Sequence, residues 1–521
     1  MASLKTNSPQ LATAFLLGLL MLSSVLLGVS PLDLPRAISG SFSFLERAFP
    51  ADFQNLDSYL SLLIDSIAIA FVSTIAGFFL SIPITFLSVQ TSGVFGLFRY
   101  PARFLTALIR AVPDLAIALF AVVLIGIGSF AGYVALSIAS TAMFARLFTI
   151  ELDGMSKASI DSFQSLGLSR THLFSVLFFT KLAPKVLSTV VYRFDINLRS
   201  ASVIGLVGAG GIGLALKTRL GQLDYSGAVV VIGLIAVIVL VSELISNRLK
   251  LAFLPKARAQ QAAKNSNYFA GWIALATVFI AFIFTSMQLS RTQPDRNSSI
   301  EIESILVDFL SPDFSNINGL LVGLTESLLM TSFAGISGVS LGLLLGISGS
   351  VNITRNRPAS ALLKLVITLI RSIPPLVYGL LAVTVVGLGP KAGSYGLMLV
   401  AISISAKLTL DTLESRDQKP EKALFAIGTG FWRRVVATVF PANGRVLRAN
   451  SIFVTDIILR YSIVFGVIGA GGLGSELLLA MNILDFQTVS AIAIMFLIPV
   501  MMLDWVADRE SKTNPANHNR A

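Results

Sequence analysis

The chain contains no cysteine, which excludes a disulfide framework, a thiolate metal site and a cysteine nucleophile together. Its two histidines, His172 and His518, are too few and too far apart for a zinc site or an imidazole relay, so neither a metal nor a cofactor is expected. Charge is scarce as well: 13% of 521 residues are charged against 54% hydrophobic, and mean hydropathy is +0.80. Soluble domains carry about 25% charged residues, so the deficit places the chain in a bilayer. No G-x-x-x-x-G-K-[ST] stretch is present, so any nucleotide hydrolysis must be supplied by a partner. The net charge of +11 would suit nucleic acid, but the lysines and arginines sit in short loops between apolar runs. Positive-inside bias accounts for that placement, and no nucleic-acid partner is expected.

What the chain does have is one stretch twice. Arg199 to Gly213 reads RSASVIGLVGAGGIG, and 261 residues later Arg460 to Gly474 reads RYSIVFGVIGAGGLG, with eight of fifteen positions identical. The same offset pairs Asp65 with Glu326, Arg110 with Arg371, Pro113 with Pro374, Gly126 with Gly387 and Gly167 with Gly428. The chain reads as a tandem duplication, residues 1–260 and 261–521, and such repeats in a membrane chain point to two half-transporters in one polypeptide.

Leu11 to Val29 form an apolar run that suits either a leader or a span. Its echo, Tyr268 to Leu289, lies mid-chain, so both are read as spans. Further runs at about 60–89, 103–127, 131–150, 173–192 and 226–247 recur near 319–349, 361–387, 391–412, 436–458 and 487–507. The expected fold class is all-α integral membrane, with about twelve helices in two parallel six-helix repeats. Acidic segments follow the first span of each copy, around Asp52 and Asp308. Basic segments follow the second span, around Arg103 and Lys364, and bridge the copies at Lys256 and Arg258. The basic segments and both termini are therefore expected on the cytoplasmic side.

Between the fourth and fifth spans of each copy lies a polar loop on that side. In the second copy Pro420 suits a helix start and Gly428 a helix stop; in the first, Ile160, Phe163 and Leu166 precede Gly167 at three-residue spacing. A helix of this kind either docks into a groove of a cytosolic partner or lies on the membrane. Its appearance at matched positions in both copies favours docking.

A glycine-stopped cytoplasmic helix, then an apolar span, then GAGG-[IL]-G resembles the membrane subunits of binding-protein-dependent ABC importers. Three further stretches resemble the phosphonate importer permeases among them: YRFDINLRSASVIGLVGAGGIG from Tyr192, R-[AS]-[VI]-P at Arg110 and Arg371, and G-[IL]-G-x-x-A-G at Gly126 and Gly387. The resemblance implies the ABC importer permease fold, a bacterial inner membrane with its lipid, cytosolic ATP-binding subunits and a periplasmic or extracellular substrate-binding protein. It implies a phosphonate, phosphite or phosphate as cargo. It also carries a coupling-helix role onto Asp161, Ser162 and Gly167, and onto Glu421, Ala423 and Gly428. The register of the family's acid is held by Lys422 in the second copy, with Glu421 one place out.

Candidate pathway residues follow from the duplication. Gly208, Gly210 and Gly213 fit a dinucleotide fingerprint, but no carboxylate follows at about 20 residues; the membrane reading is that Gly208, Gly210 and Gly211, with Gly469, Gly471 and Gly472, permit a sharp bend or close helix approach. Arg110 and Arg371, three residues before Pro113 and Pro374, are expected inside the third spans, roughly 10 Å deep at 1.5 Å per residue. They either line a pathway or snorkel to the surface. Asp195 with Arg199, and Asp456 with Arg460, are spaced to pair on one helix face; the alternative is that the arginines, with Arg193, attract an oxyanion.

The function expected is the permease subunit of an ABC importer, not itself an enzyme. Rivals are a methionine or quaternary-amine importer, which shares GAGG-[IL]-G, and an ion-coupled secondary transporter, which needs buried carboxylates and finds only Asp65 and Glu326 recurring.

Overall fold

The computed structural model describes residues 8–29, 46–89, 96–153, 183–222, 224–253, 307–354, 356–414 and 419–512. Among them there is no strand. The helices are α1 (Ser8–Leu26), α2 (Leu56–Ser88), α3 (Gly96–Ala111), α4 (Asp114–Ile125), α5 (Ser129–Asp153), α6 (Ala183–Ile204), α7 (Ile212–Gly221) and α8 (Tyr225–Phe253). The second copy contributes α9 (Ile317–Gly349), α10 (Arg357–Ser372), α11 (Pro375–Val386), α12 (Pro390–Glu414), α13 (Lys419–Ala426), α14 (Phe440–Phe465), α15 (Leu473–Asn482) and α16 (Phe486–Lys512). The ends of α2 and α9, α3 and α10, α4 and α11, and α5 and α12 all differ by 261 residues, so the duplication holds element by element.

Seven described helices are long and apolar enough to cross a membrane, or up to ten if each bent pair is one span. The run expected at 268–289 and the start of that at 173–192 lie outside the described residues. The expected fifth spans continue further than the apolar runs suggested, as α6 to Ile204 and α14 to Phe465. Polar side chains interrupt those runs in sequence, but they bond to one another and to neighbouring helices, so the backbone stays helical through them.

Helices α2 to α8 form one compact unit; α9 to α16 form the other, joined by α1, which packs against α9. The duplication boundary near residue 260 is thus one of sequence, while the first helix of the chain lies with the second copy. Within each unit the most extensive helix packing is α2 with α5, or α9 with α12. Small residues allow it: a Cβ on Gly77 would stand 2.4 Å from Ser140 Cβ, one on Gly338 2.6 Å from Ala401 Cβ, and one on Gly342 2.6 Å from Ser405 Cβ. Four-residue spacing of such positions brings two helix backbones together where lipid offers no hydrophobic drive.

Candidate functional site

The duplicated glycine segment is a tight loop between two helices. After α6 comes a single 3-10 turn, Gly205–Val207, then Gly208, Gly210 and Gly211 at φ 90°, 78° and 76°, then α7. In the second copy a wider π-type turn, Gly466–Ala470, takes that place, and Gly469, Gly471 and Gly472 stand at 92°, 77° and 75° before α15. Positive φ favours glycine, and space forbids anything larger at the crossing: a Cβ on Gly213 would lie 2.2 Å from Ser202 O, and one on Gly474 2.0 Å from Ile463 O. No strand precedes the motif, which removes the dinucleotide reading.

Each loop is held from two sides. The N–H of Gly128 donates to Gly208 O, and that of Gly389 to Gly469 O, both at 2.9 Å. The first free N–H groups of α7 and α15 are capped from another helix, Ile212 by Ser66 Oγ at 2.8 Å and Leu473 by Ser327 Oγ at 3.0 Å. Glu326 Oε2 accepts from Gly472 N at 2.8 Å, where a carboxylate suits the positive end of α15. That contact gives Glu326, one of the two carboxylates on which the ion-coupled rival rests, a role in holding the loop.

The expected third spans are not straight. α3 and α4 meet at 92°, and α10 and α11 at 84°. Pro113 and Pro374 sit at the entry of the second helix of each pair, at φ −60° and −58°, and a proline drives the residue before it out of helical geometry. Arg110 and Arg371 therefore stand in the last turn of α3 and α10, half-buried, and the depth expected from a continuous span does not apply. α3 and α10 expose apolar side chains on one side only, including Leu97, Phe104, Leu362 and Leu365, the pattern of helices that lie along a bilayer face.

Arg199 pairs with Asp195 at 3.1 Å and lies 3.6 Å from Glu243 on α8; Arg460 pairs with Asp456 at 2.9 Å. Both aspartates are buried, so each arginine offsets a carboxylate one turn away. The first copy also buries Arg193, whose Nε donates to Ser140 Oγ at 3.0 Å, and Asn197, whose Nδ2 donates to Thr74 Oγ1 at 2.8 Å and Ser140 Oγ at 2.9 Å. In sequence alone Asn197 carries no signal, because a single amide among charged residues does not show which helices it will join.

Asp161, Ser162 and Gly167 lie outside the described residues. The segment expected to couple in the second copy is α13, which starts at Lys419 with Pro420 next and closes on Gly428 at φ 75°. Thr429 N–H donates to Leu424 O and Gly428 N–H to Phe425 O, the bond pair of a Schellman stop. Ala423, Phe425 and Ile427 are exposed, Ile427 at 74%. Glu421 is turned inward at 4%, so the apolar side chains and not this acid form the reachable surface. Arg434, which no sequence pattern singled out, is buried beneath the segment; it donates to Ile353 O at 2.9 Å and to Thr429 O at 2.6 Å, with its guanidinium 5.2 Å from the Phe425 ring centre.

The two halves separately match one family model, that of the binding-protein-dependent transport system inner membrane component, over residues 77–259 and 338–511. The chain is 27% identical over 475 residues to a phosphate-import permease protein, PhnE, of Mycolicibacterium smegmatis, covering 90% of this chain and 88% of that one. It is 26% identical over 207 residues to the phosphite transport system permease protein PtxC of Stutzerimonas stutzeri, covering 40% and 75%. To a probable D-methionine transport system permease protein, MetI, of Pasteurella multocida it is 32% identical over 168 residues, covering 30% and 77%. The family model covers more than half of the chain and finds it twice, at the spacing of the glycine loops: the chain is a tandem member of the binding-protein-dependent transport system inner membrane component family.

Proposed function

We propose that this chain supplies both membrane halves of an ABC importer and moves a phosphonate, or phosphite or phosphate, inward. The observation that carries the substrate class is the similarity, along nine-tenths of the chain, to a protein named for phosphate import; similarity to the methionine permease covers less than a third. Cytosolic ATP-binding subunits would dock on the loops holding Asp161, Ser162 and Gly167, and Glu421, Ala423 and Gly428, and a binding protein would deliver cargo from outside. With both termini cytoplasmic, the pathway would run past the elbows at Arg110, Pro113, Arg371 and Pro374 and past the two glycine loops. In this reading Arg199 and Arg460, now paired, exchange carboxylate for a tetrahedral oxyanion whose geometry suits a guanidinium fork.

The test is uptake of labelled phosphonate, phosphite, phosphate, methionine and betaine by vesicles containing the chain, its ATPase and its binding protein. ATP-driven uptake of a phosphorus oxyanion is expected; uptake of methionine or betaine alone would refute the substrate class. Arg199→Gln and Arg460→Gln decide the arginine role, which fails if oxyanion uptake is unchanged. Gly428→Pro is expected to abolish transport and weaken ATPase capture while the chain remains inserted.

A further inference from the structure

At the end of each unit where the coupling loop begins, the same contact is built twice from different residues. Arg103 on α3 pairs with Asp153, the last residue of α5; 261 residues on, Lys364 on α10 pairs with Glu414, the last residue of α12. Both members differ between the copies, yet the signs are kept and the lengths compensate. The longer guanidinium meets the shorter carboxylate, and the shorter amine meets the longer one.

The same helices are fastened again to the same carbonyl position. Arg103 Nε donates to Ser88 O at 2.8 Å, and Ser360 Oγ donates to Gly349 O at 2.6 Å; Ser88 and Gly349 end α2 and α9. A contact that survives while its side chains change is one whose geometry matters. The ion pairs are part-exposed, with side chains at 21% to 34%, so they add little to stability. What they fix is the position of α3 and α10 against the helices that lead into the coupling loops.

We propose that Arg103–Asp153 and Lys364–Glu414 are positioning contacts that carry movement of the coupling loops into the elbows, and through α4 and α11 to the glycine loops. Every link is covalent or hydrogen-bonded. Asp153 and Glu414 end the helices that enter the loops. α3 and α10 run on to Pro113 and Pro374. α4 and α11 end at Gly126 and Gly387, two residues before the glycines that donate to Gly208 and Gly469. Two discrete arrangements of such a rigid chain are what coupling requires. The inference rests on the ATP-coupled reading above.

The test uses the full chain with its ATPase and binding protein in proteoliposomes, reading phosphate or phosphonate uptake and ATP hydrolysis together. Variants are Lys364→Glu, Glu414→Lys and the exchange of both, which leave the Ser360 bond to Gly349 O in place, with Lys364→Gln as a milder companion should a reversal fail to insert. Each single reversal is expected to leave ATPase capture intact and to lower cargo moved per ATP by about tenfold, and the exchange to recover most of that loss. The proposal is overturned if single variants keep the wild-type ratio, if uptake and hydrolysis fall in equal proportion, or if the exchange does not restore the ratio. Absence of ATP-driven uptake by the unmutated chain would instead overturn the transport reading.

Discussion

Replacing single glycines by alanine separates conformational strain from crowding, because the structure supplies a position with neither, one with strain alone and one with both. Gly444 lies within α14 with nothing within 4 Å of an added Cβ; alanine there should stabilise by about 0.4–1 kcal/mol, since the unfolded chain loses freedom and the helix gains propensity. Gly387 also faces open space but sits at φ 96°, ψ 175°, a region only glycine occupies readily, so alanine should cost about 1–3 kcal/mol. Gly471 combines a similar backbone, φ 77°, ψ −170°, with a Cβ that would stand 2.7 Å from Pro390 Cγ and 3.0 Å from Pro390 N. Proline cannot swing aside, so about 1–3 kcal/mol of overpacking adds to the strain, for a total of about 2–6 kcal/mol. Apparent unfolding midpoints of the purified protein in detergent should rank Gly444→Ala above wild type, then Gly387→Ala, then Gly471→Ala. Equal midpoints for the last two would refute the claim that the loop is packed against the start of α12, and a drop for Gly444→Ala would refute the assignment of that position to an open helix face.

Other outcomes follow from single contacts. Ser140→Ala removes an acceptor shared by Arg193 and Asn197 and should cost about 1–3 kcal/mol by leaving buried donors short of a partner, read from the same midpoints. Glu326→Gln keeps an acceptor at the start of α15 but loses its charge, so about 0.3–1 kcal/mol should disappear, with Glu326→Ala costing more. Asp224 accepts from Gly227 N–H, Ser226 Oγ and Arg219. Those bonds, the backbone one foremost, hold its carboxyl below the ordinary 3.8. A depressed folded value means the stabilisation is present above that pH and is lost as pH falls through the lower one; Asp224→Asn should therefore flatten the pH dependence of the midpoint below 3.8, and an unchanged acid limb would contradict it.

The duplication, the helical class and the loop glycines were legible because each leaves a mark at fixed spacing: glycine where φ is positive, proline where a helix must restart, apolar runs where it crosses. Gly428 is the clearest case, a stop read from one residue and found as a Schellman bond pair. The prolines Pro113 and Pro374 marked where the third spans could kink, but not that the chain turns there through about a right angle. Hydropathy averages over a window and cannot see that the apolar residues of α3 and α10 lie on one side, so two helices at 92° read as one span. The end of α6 was missed because the apolar run stops before Arg193, although the four-residue spacing of Asp195 and Arg199 marks a helix face; Arg193 and Asn197 find partners only once α2 and α5 are in place. Arg434 and Glu421 show the same limit, because burial of a charged side chain beneath a surface helix leaves no periodic trace.

Comparison of the two copies then distinguishes what the fold requires from what one half has added. The positive-φ glycines, the Ser66 and Ser327 caps and the charge pairs at Asp153 and Glu414 occur in both. The buried network does not: Ser73, Thr74, Ser140, Arg193 and Asn197 are answered 261 residues later by Ala334, Gly335, Ala401, Val454 and Ile458. Since α9, α12 and α14 pack in the same order with apolar residues there, the polar set is not needed to assemble three helices. It carries a desolvation cost that the apolar set avoids. Beneath α13 the asymmetry runs the other way, with Arg434 in the second copy aligned to Leu173 in the first. A pair of identical subunits cannot diverge in this way, because any residue placed in one half appears in the other. Joining the copies in one chain frees each to specialise, the first around a charged helix interface and the second around the braced helix α13.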